Sequence, residues 1–284
     1  MLKQRIITAL VLLAILLPAM MYHDPSAFCA VVLILIAAGA WEWGRLNGCS
    51  QTTSGLASMA CLLMCGLSWA MGWLHTPLNL LWTAAGGVWV LLGAWLLRGG
   101  VAHWPTIDRT VRLVAGLAAL WLAWLAMAQA RIIGLNFLLS VLVLVWVADI
   151  FAYFAGRSLG GRFFKNKLAP SISPGKTWEG VVGAMLGVLL LSSAWIAGDG
   201  FWGASVPSFY SQLAQRGTWL LVLALLFMVA MSVAGDLVES LIKRAAGVKD
   251  SSALLPGHGG VLDRVDALLP TLPLAMMLYS LGAL

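Results

Sequence analysis

Charge is what this chain has least of. Only 10% of its 284 residues are Asp, Glu, Lys or Arg, against about a quarter in an ordinary soluble domain. That scarcity excludes a water-soluble globular fold. Cysteine is also sparse, with four residues: Cys29, Cys61 and Cys65 lie inside apolar runs and Cys49 just after one. Neither a disulfide framework nor a thiolate metal cluster is indicated, and the four read as small buried hydrophobes. The alternation of apolar and polar residues that marks a membrane β-barrel is missing. So is any Ser-His-Asp, haem-ligating or zinc-ligating pattern. Gly175-Lys176-Thr177 matches the last three positions of a P-loop, but its first glycine would fall on Pro170 and no strand precedes it. A P-loop ATPase is thereby excluded.

What the chain has in quantity is apolar length. It is 61% hydrophobic, with a mean hydropathy of +0.93, and runs of about 20 apolar residues, enough to cross a bilayer as helix, recur throughout. The fold class is all-α: a polytopic integral membrane protein with about nine transmembrane helices and cytosolic polar loops. The expected spans are 5–21, 27–45, 54–74, 78–97, 112–130, 132–155, 178–198, 218–240 and 267–283. With the N-terminus inside, fifteen cations fall on the inner side, from Lys3 and Arg5 to Arg264, and only Arg131 and Arg216 outside. This positive-inside bias supports an odd number of spans and a cytosolic N-terminus. Nothing in the placement of charge suggests nucleic acid. Residues 1–130 read as a scaffold of about five spans, and 131–284 as a catalytic region with polar loops at 156–177 and 243–266. The fifteen tryptophans read mostly as interfacial anchors. Glu42, within Trp41-Glu42-Trp43, is a functional candidate by depth, with a local ion pair to Arg45 as the equal alternative. Gly183 and Gly187 form a G-x-x-x-G that suggests close helix packing.

Five of the eleven acidic residues lie between Asp236 and Asp266. Asp236, Glu239, Ser240 and Lys243 are spaced to share one helical face, a hard-oxygen cradle of the kind Mg²⁺ accepts. The plainer alternative is a helix end whose cations reach water. Pro256-Gly257-His258-Gly259-Gly260 offers backbone that approaches an anion closely. Asp263 and Asp266 follow one turn apart, facing the same site or simply capping the next helix. His258 is either a proton donor or a loop hydrogen bonder. The second polar stretch starts at Asp149 and Tyr153 and runs through Lys165, Lys167, Ser171, Ser173, Lys176 and Thr177 to Gly180. Five cations separate Asp149 from Glu179, suiting anionic lipid headgroups or a phosphate site of defined shape. Carboxylates for a metal beside a cationic, Gly/Ser-rich face are equipment for phosphate chemistry on a lipid.

The 27 residues from Ser240 to Asp266 include Lys243-Arg244, Lys249-Asp250, Pro256-Gly-His258-Gly259-Gly260 and Asp263-Arg264-Val-Asp266. They resemble the signature of the phosphatidate cytidylyltransferases (CDP-diacylglycerol synthases). Lys167 to Gly180 is similar to that family's second polar stretch. The resemblance implies that CTP and phosphatidic acid give CDP-diacylglycerol and pyrophosphate. It also implies Mg²⁺, with K⁺ as a further cation, a homodimer among membrane lipids, and a bacterial inner membrane with the site facing the cytosol. Carried over, Asp236 and Asp263 become catalytic metal ligands with Glu239 and Ser240 beside them. Lys243, Arg244 and Lys249 would neutralise phosphates, and Asp250 and Asp266 orient them. Asp149, Lys167, Ser171, Ser173, Lys176, Thr177, Ser240, His258, Gly259, Gly260 and Arg264 complete the expected substrate contacts. One departure is visible: Ile150-Phe151 follow Asp149 where the family often has Thr-Gly. A secondary transporter is disfavoured because the polar residues gather at one boundary and no internal repeat is found. A different lipid-phosphate enzyme, such as a polyprenol kinase, is the nearer alternative.

Overall fold

The computed structural model describes residues 2–281; the Lys3 side chain and residues 282–283 of the expected ninth span lie outside what is described. The helices are α1 (Leu2–Met21), α2 (Pro25–Leu46), α3 (Gln51–Ala70), α4 (Asn79–Gly99), α5 (Arg109–Ile133), α6 (Leu135–Leu159), α7 (Trp178–Trp202), α8 (Phe209–Gln215), α9 (Thr218–Ala245), α10 (Leu262–Val265) and α11 (Leu268–Ser280). Among the described residues there is no named strand. Helices begin where a short polar residue precedes an apolar run. Asp24 accepts from the Ser26 N–H, Ser50 from Thr53 and Asp108 from Thr110. These caps satisfy donors that the first turn leaves free.

Among the described residues, eight helices are long and apolar enough to cross a membrane. The ninth expected span, 267–283, begins within one residue of its helix. It is helical over Leu268–Ser280, only 13 residues, or about 20 Å at the α-helical rise, short of a bilayer core of about 30 Å. Its charged lead-in, Asp263 to Asp266, is drawn off into α10 and the site. Nonetheless α11 runs from one end of the bundle to the other. At its start Gly235 of α9 lies so close that an added Cβ would meet the Asp266 carbonyl and the Pro270 ring. At its end Arg216 donates to the carbonyls of Leu278 and Tyr279, at 2.8 and 3.0 Å. Arg131 sits at that same end, bonded to the carbonyls of Met20 and Tyr22 at 2.9 and 2.7 Å. Both cations expected outside are therefore grouped, away from the polar loops. The residue-130 division falls inside α5, and α11 packs against both α4 and α5.

Four of the fifteen tryptophans, Trp43, Trp82, Trp104 and Trp124, are buried in the core. Three of these indoles bond between helices: Trp43 to the Arg112 carbonyl, Trp82 to Gln129 and Trp124 to the Cys29 carbonyl. A buried indole supplies apolar area and needs one acceptor, so it fastens a helix pair where a carbonyl is within reach. The α6–α7 pair is fastened by glycine. Gly183 fits against Ala155 and the Phe151 carbonyl, and Gly187 against the Phe151 ring. The expected G-x-x-x-G packing is thus present, and Phe151, the departure noted above, fills the hollow that Gly187 leaves.

Gly116 of α5 lies directly against the Trp43 indole, where a Cβ would collide with the ring. In a free helix Ala would be favoured over Gly by about 1 kcal/mol, but overpacking costs about 1–3 kcal/mol. Gly116→Val should therefore lower the melting temperature in detergent. An unchanged or raised value would show that α2 and α5 do not meet here as described.

Candidate active site

The last two turns of α9 carry the site's acidic face. Asp236 and Ser240 are one turn apart, and the Ser240 hydroxyl donates to Asp236 at 3.3 Å. The other Asp236 oxygen pairs with the Lys176 Nζ at 2.5 Å. One turn on, the Lys243 ammonium lies between Glu239 and Asp263, contacting the Asp263 Oδ1 at 2.5 Å. Glu239 is 5% exposed, and its oxygens have no donor other than that ammonium among the described residues. The helical spacing read from sequence therefore gives one face, as expected. What spacing could not give is that lysines occupy the gaps between the carboxylates.

The glycine-rich loop wraps Asp263. Its Oδ2 accepts from the Ser251 N–H at 2.8 Å, the Ser251 hydroxyl at 2.9 Å and the Gly260 N–H at 2.7 Å. Burial pushes the Asp263 carboxyl up, but Lys243 and these N–H groups outweigh it and hold the group below the usual carboxylate range. Gly259 has φ +82°, and a Cβ there would lie 2.6 Å from the Asp263 carboxylate, so both backbone and space demand glycine. Gly260 is closed in by Ser251 and by Glu42 of α2. Glu42, fully buried, makes no pair with Arg45. It accepts from the Ser252 hydroxyl at 2.5 Å, the Val261 N–H at 2.9 Å, the Leu262 N–H at 2.8 Å and the Ser251 hydroxyl at 3.1 Å.

The second polar segment folds as a compact turn. Leu168 and Ser173 bond back to Lys176 and Ala169, and Lys167 donates to the Pro174 carbonyl at 2.6 Å. Thr177 caps α7, its hydroxyl accepting from Gly180 at 3.1 Å. Glu179, 4% exposed, accepts from the N–H groups of Gly161, Phe163 and Phe164 through one oxygen. This fixes the loop's other limb. Lys176 is left projecting at Asp236. Asp149 lies on α6, which packs beside α9, and makes no ion pair or hydrogen bond with either residue among the described residues. Asp266 closes the group: burial and then the charge of Asp236 push its carboxyl up.

Asp149, Lys176, Asp236, Glu239, Ser240, Lys243, Asp263 and Asp266 thus come together from four parts of the chain. Arg244, Lys249, Asp250 and Arg264 are exposed on the rim. Arg244 reaches only the Val248 carbonyl at 3.4 Å. Ser171 is exposed and Ser173 half-buried in the turn, without side-chain partners among the described residues. The Nδ1 of half-buried His258 is also without one. Sequence reasoning gave no role to Ser251 and Ser252, which carry no motif of their own. Their signal is position: two hydroxyls between a charged pair and the glycines.

No three acidic, His or Cys side chains among the described residues converge on one point in the manner of an all-protein metal cage. Mg²⁺ does not require one, since it keeps waters and takes one or two carboxylates plus substrate phosphates. Asp236, with a third of its side chain exposed beside the Ser240 hydroxyl, fits that role. Asp263, with both oxygens engaged, fits it only if Lys243 moves aside.

Such a fold and site define a class: a polytopic helical membrane protein with a cluster of paired lysines and carboxylates where its two polar loops meet. The sequence pattern of the Cytidylyltransferase family matches residues 3–281. The chain is 38% identical to the phosphatidate cytidylyltransferase of Pseudomonas aeruginosa over 99% of its length and 98% of the relative's. It is 35% identical to that of Haemophilus influenzae, over 98% and 99%. For that of Brucella abortus the identity is 37%, over 100% and 94%. This chain is a member of the Cytidylyltransferase family.

The two lysines do unequal work. Removing Lys243 leaves Glu239 and Asp263, 6% and 5% exposed as side chains, without a cation, a loss of about 3–5 kcal/mol for a buried pair. Lys176 and Asp236 are 23% and 33% exposed, where a pair contributes about 0–1 kcal/mol. Lys243→Met should depress the melting temperature clearly more than Lys176→Met. Equal shifts would contradict the burial described.

Proposed function

We propose that this protein transfers the cytidylyl group of CTP to phosphatidic acid, giving CDP-diacylglycerol and pyrophosphate. The observation that carries the reading is the Lys176–Asp236 pair, which brings the two polar segments of a membrane bundle together. Full-length similarity to phosphatidate cytidylyltransferases supports the same chemistry. The site faces the cytosol of a bacterial inner membrane, with the N-terminus on that side, as the one-sided distribution of Lys and Arg in the sequence indicates. A homodimer is part of the reading by resemblance.

The phosphate of phosphatidic acid is already ionised at neutral pH, so the reaction needs no strong base. One of its oxygens bonds to the α-phosphorus of CTP as the bond to the bridging oxygen of pyrophosphate breaks. The main obstacle is repulsion between two anions. Lys176 and Lys243 hold positive charge inside the site, and Arg244, Lys249 and Arg264 add it at the rim, where phosphates enter. Asp263 keeps Lys243 in place and gathers the loop through Ser251 and Gly260, while Asp149 and Asp266 border the same space. Mg²⁺, when held by Asp236 and Ser240 with Glu239 and Asp263 nearby, supplies charge neutralisation to the phosphates; K⁺ is a further candidate cation.

Pyrophosphate release from purified protein in mixed micelles, with phosphatidic acid, Mg²⁺ and each ribonucleoside triphosphate in turn, tests the reading. Release is expected only with CTP and only with the lipid. No release from folded protein, or release indifferent to the base, would overturn it. In the same assay Asp263→Asn is expected to lower turnover to below about a tenth of wild type while the protein stays folded in detergent.

A further inference from the structure

We infer that Glu42 is a positioning residue for this site: a carboxylate in the first half of the chain that holds the glycine-rich loop and so places Asp263. The turnover arm of the test below rests on the proposed activity. The local alternative, a pair with Arg45, is not what forms. Arg45 bonds the Gln51 side chain at 3.1 Å and lies over the Trp41 ring at 5.5 Å from its centroid. Glu42 instead reaches 209 to 220 residues along the chain, to Ser251, Ser252, Val261 and Leu262.

Its partners are the residues that Asp263 uses, or their neighbours. Ser251 serves both carboxylates, its N–H donating to Asp263 and its single hydroxyl proton shared between Asp263 and Glu42, and Gly260, which donates to Asp263, immediately precedes the two N–H groups that Glu42 takes. The loop is therefore gripped from two sides, by an anchor in α2 and by Asp263 itself. A carboxylate, and not an amide, is needed for this. The Ser252 hydroxyl and Val261 N–H converge on Oε1, while Ser251 and the Leu262 N–H converge on Oε2. Gln has one accepting oxygen, so in either orientation it turns an NH₂ towards a backbone N–H that can only donate. Leaving a buried donor unmet is the costly case. Every donor around Glu42 is uncharged, so the arrangement fixes geometry without adding a cation to the site.

Two readouts on Glu42→Gln in the full-length protein separate positioning from bulk stability. By hydrogen–deuterium exchange without ligand, the amides of 251–262 should exchange at least about tenfold faster, with those of α5 and α11 unchanged. With CTP, phosphatidic acid and Mg²⁺, kcat should fall at least about thirtyfold with KM for CTP within about threefold. Ser252→Ala, which keeps three of the four donors, should move both readouts in the same direction by less. Unchanged exchange in the loop, loss of protection throughout the bundle, or wild-type kcat with a loosened loop would each overturn the inference. If the wild-type protein turns over no CTP, the proposed activity fails, and exchange in the loop alone decides whether Glu42 holds it.

Discussion

A carboxylate withdrawn from water must be met by donors, and the site of this protein is organised by that requirement. Glu42, Glu179 and Asp263 are each placed where water does not satisfy them, and each is answered by two or three backbone N–H groups in or next to a polar loop. The loops carry glycine and little apolar surface, so they have scant hydrophobic reason to adopt one shape. Carboxylates projecting from the helical framework supply that reason. Glu179 sets the limb that precedes Lys176, and Glu42 and Asp263 set the limb that meets α9.

The apolar bundle bears on the chemistry through the same contacts. α2 is fixed to α5 by Trp43 and Gly116 and to the loop by Glu42, so the helix that packs the core also sets the loop's height over α9. α11 returns along α9 and closes against Gly235, bringing Asp266 to the level of Asp236. The scaffold is thus part of how charge is placed, although its first five spans carry almost no charge of their own.

The sequence made some of this legible and not the rest. Apolar runs located the long helices to within a few residues, because hydrophobic length is a local property. The face shared by Asp236, Glu239, Ser240 and Lys243 followed from helical spacing, as did the α6–α7 glycine packing. Glu42 was visible as an anomaly, yet its partners lie more than two hundred residues away, and Arg45 offered a nearer explanation. Glu179 likewise figured only as the acid that closes the cationic stretch. The ninth span, expected over 267–283, was located at its start to within one residue, its helix running over Leu268–Ser280. Which four of the fifteen tryptophans are buried in the core is decided by tertiary contacts and not by their place in the sequence. The Lys243–Glu239 pair is an i, i+4 contact within reach of spacing, whereas Lys176 at Asp236 and Asp263 at Lys243 are matters of three-dimensional closeness that no spacing rule contains.

That the two polar segments share one site is the claim on which the account turns, and cross-linking measures it directly. All four native cysteines are buried, so a short bifunctional thiol reagent applied to the Lys176→Cys, Asp236→Cys double variant reports the introduced pair. The account predicts rapid intramolecular cross-linking there, and none when Lys176→Cys is combined with Ser205→Cys near the Arg216 end of the bundle. Failure of the first pair to cross-link while each thiol reacts singly, or equal linking of both pairs, would contradict it.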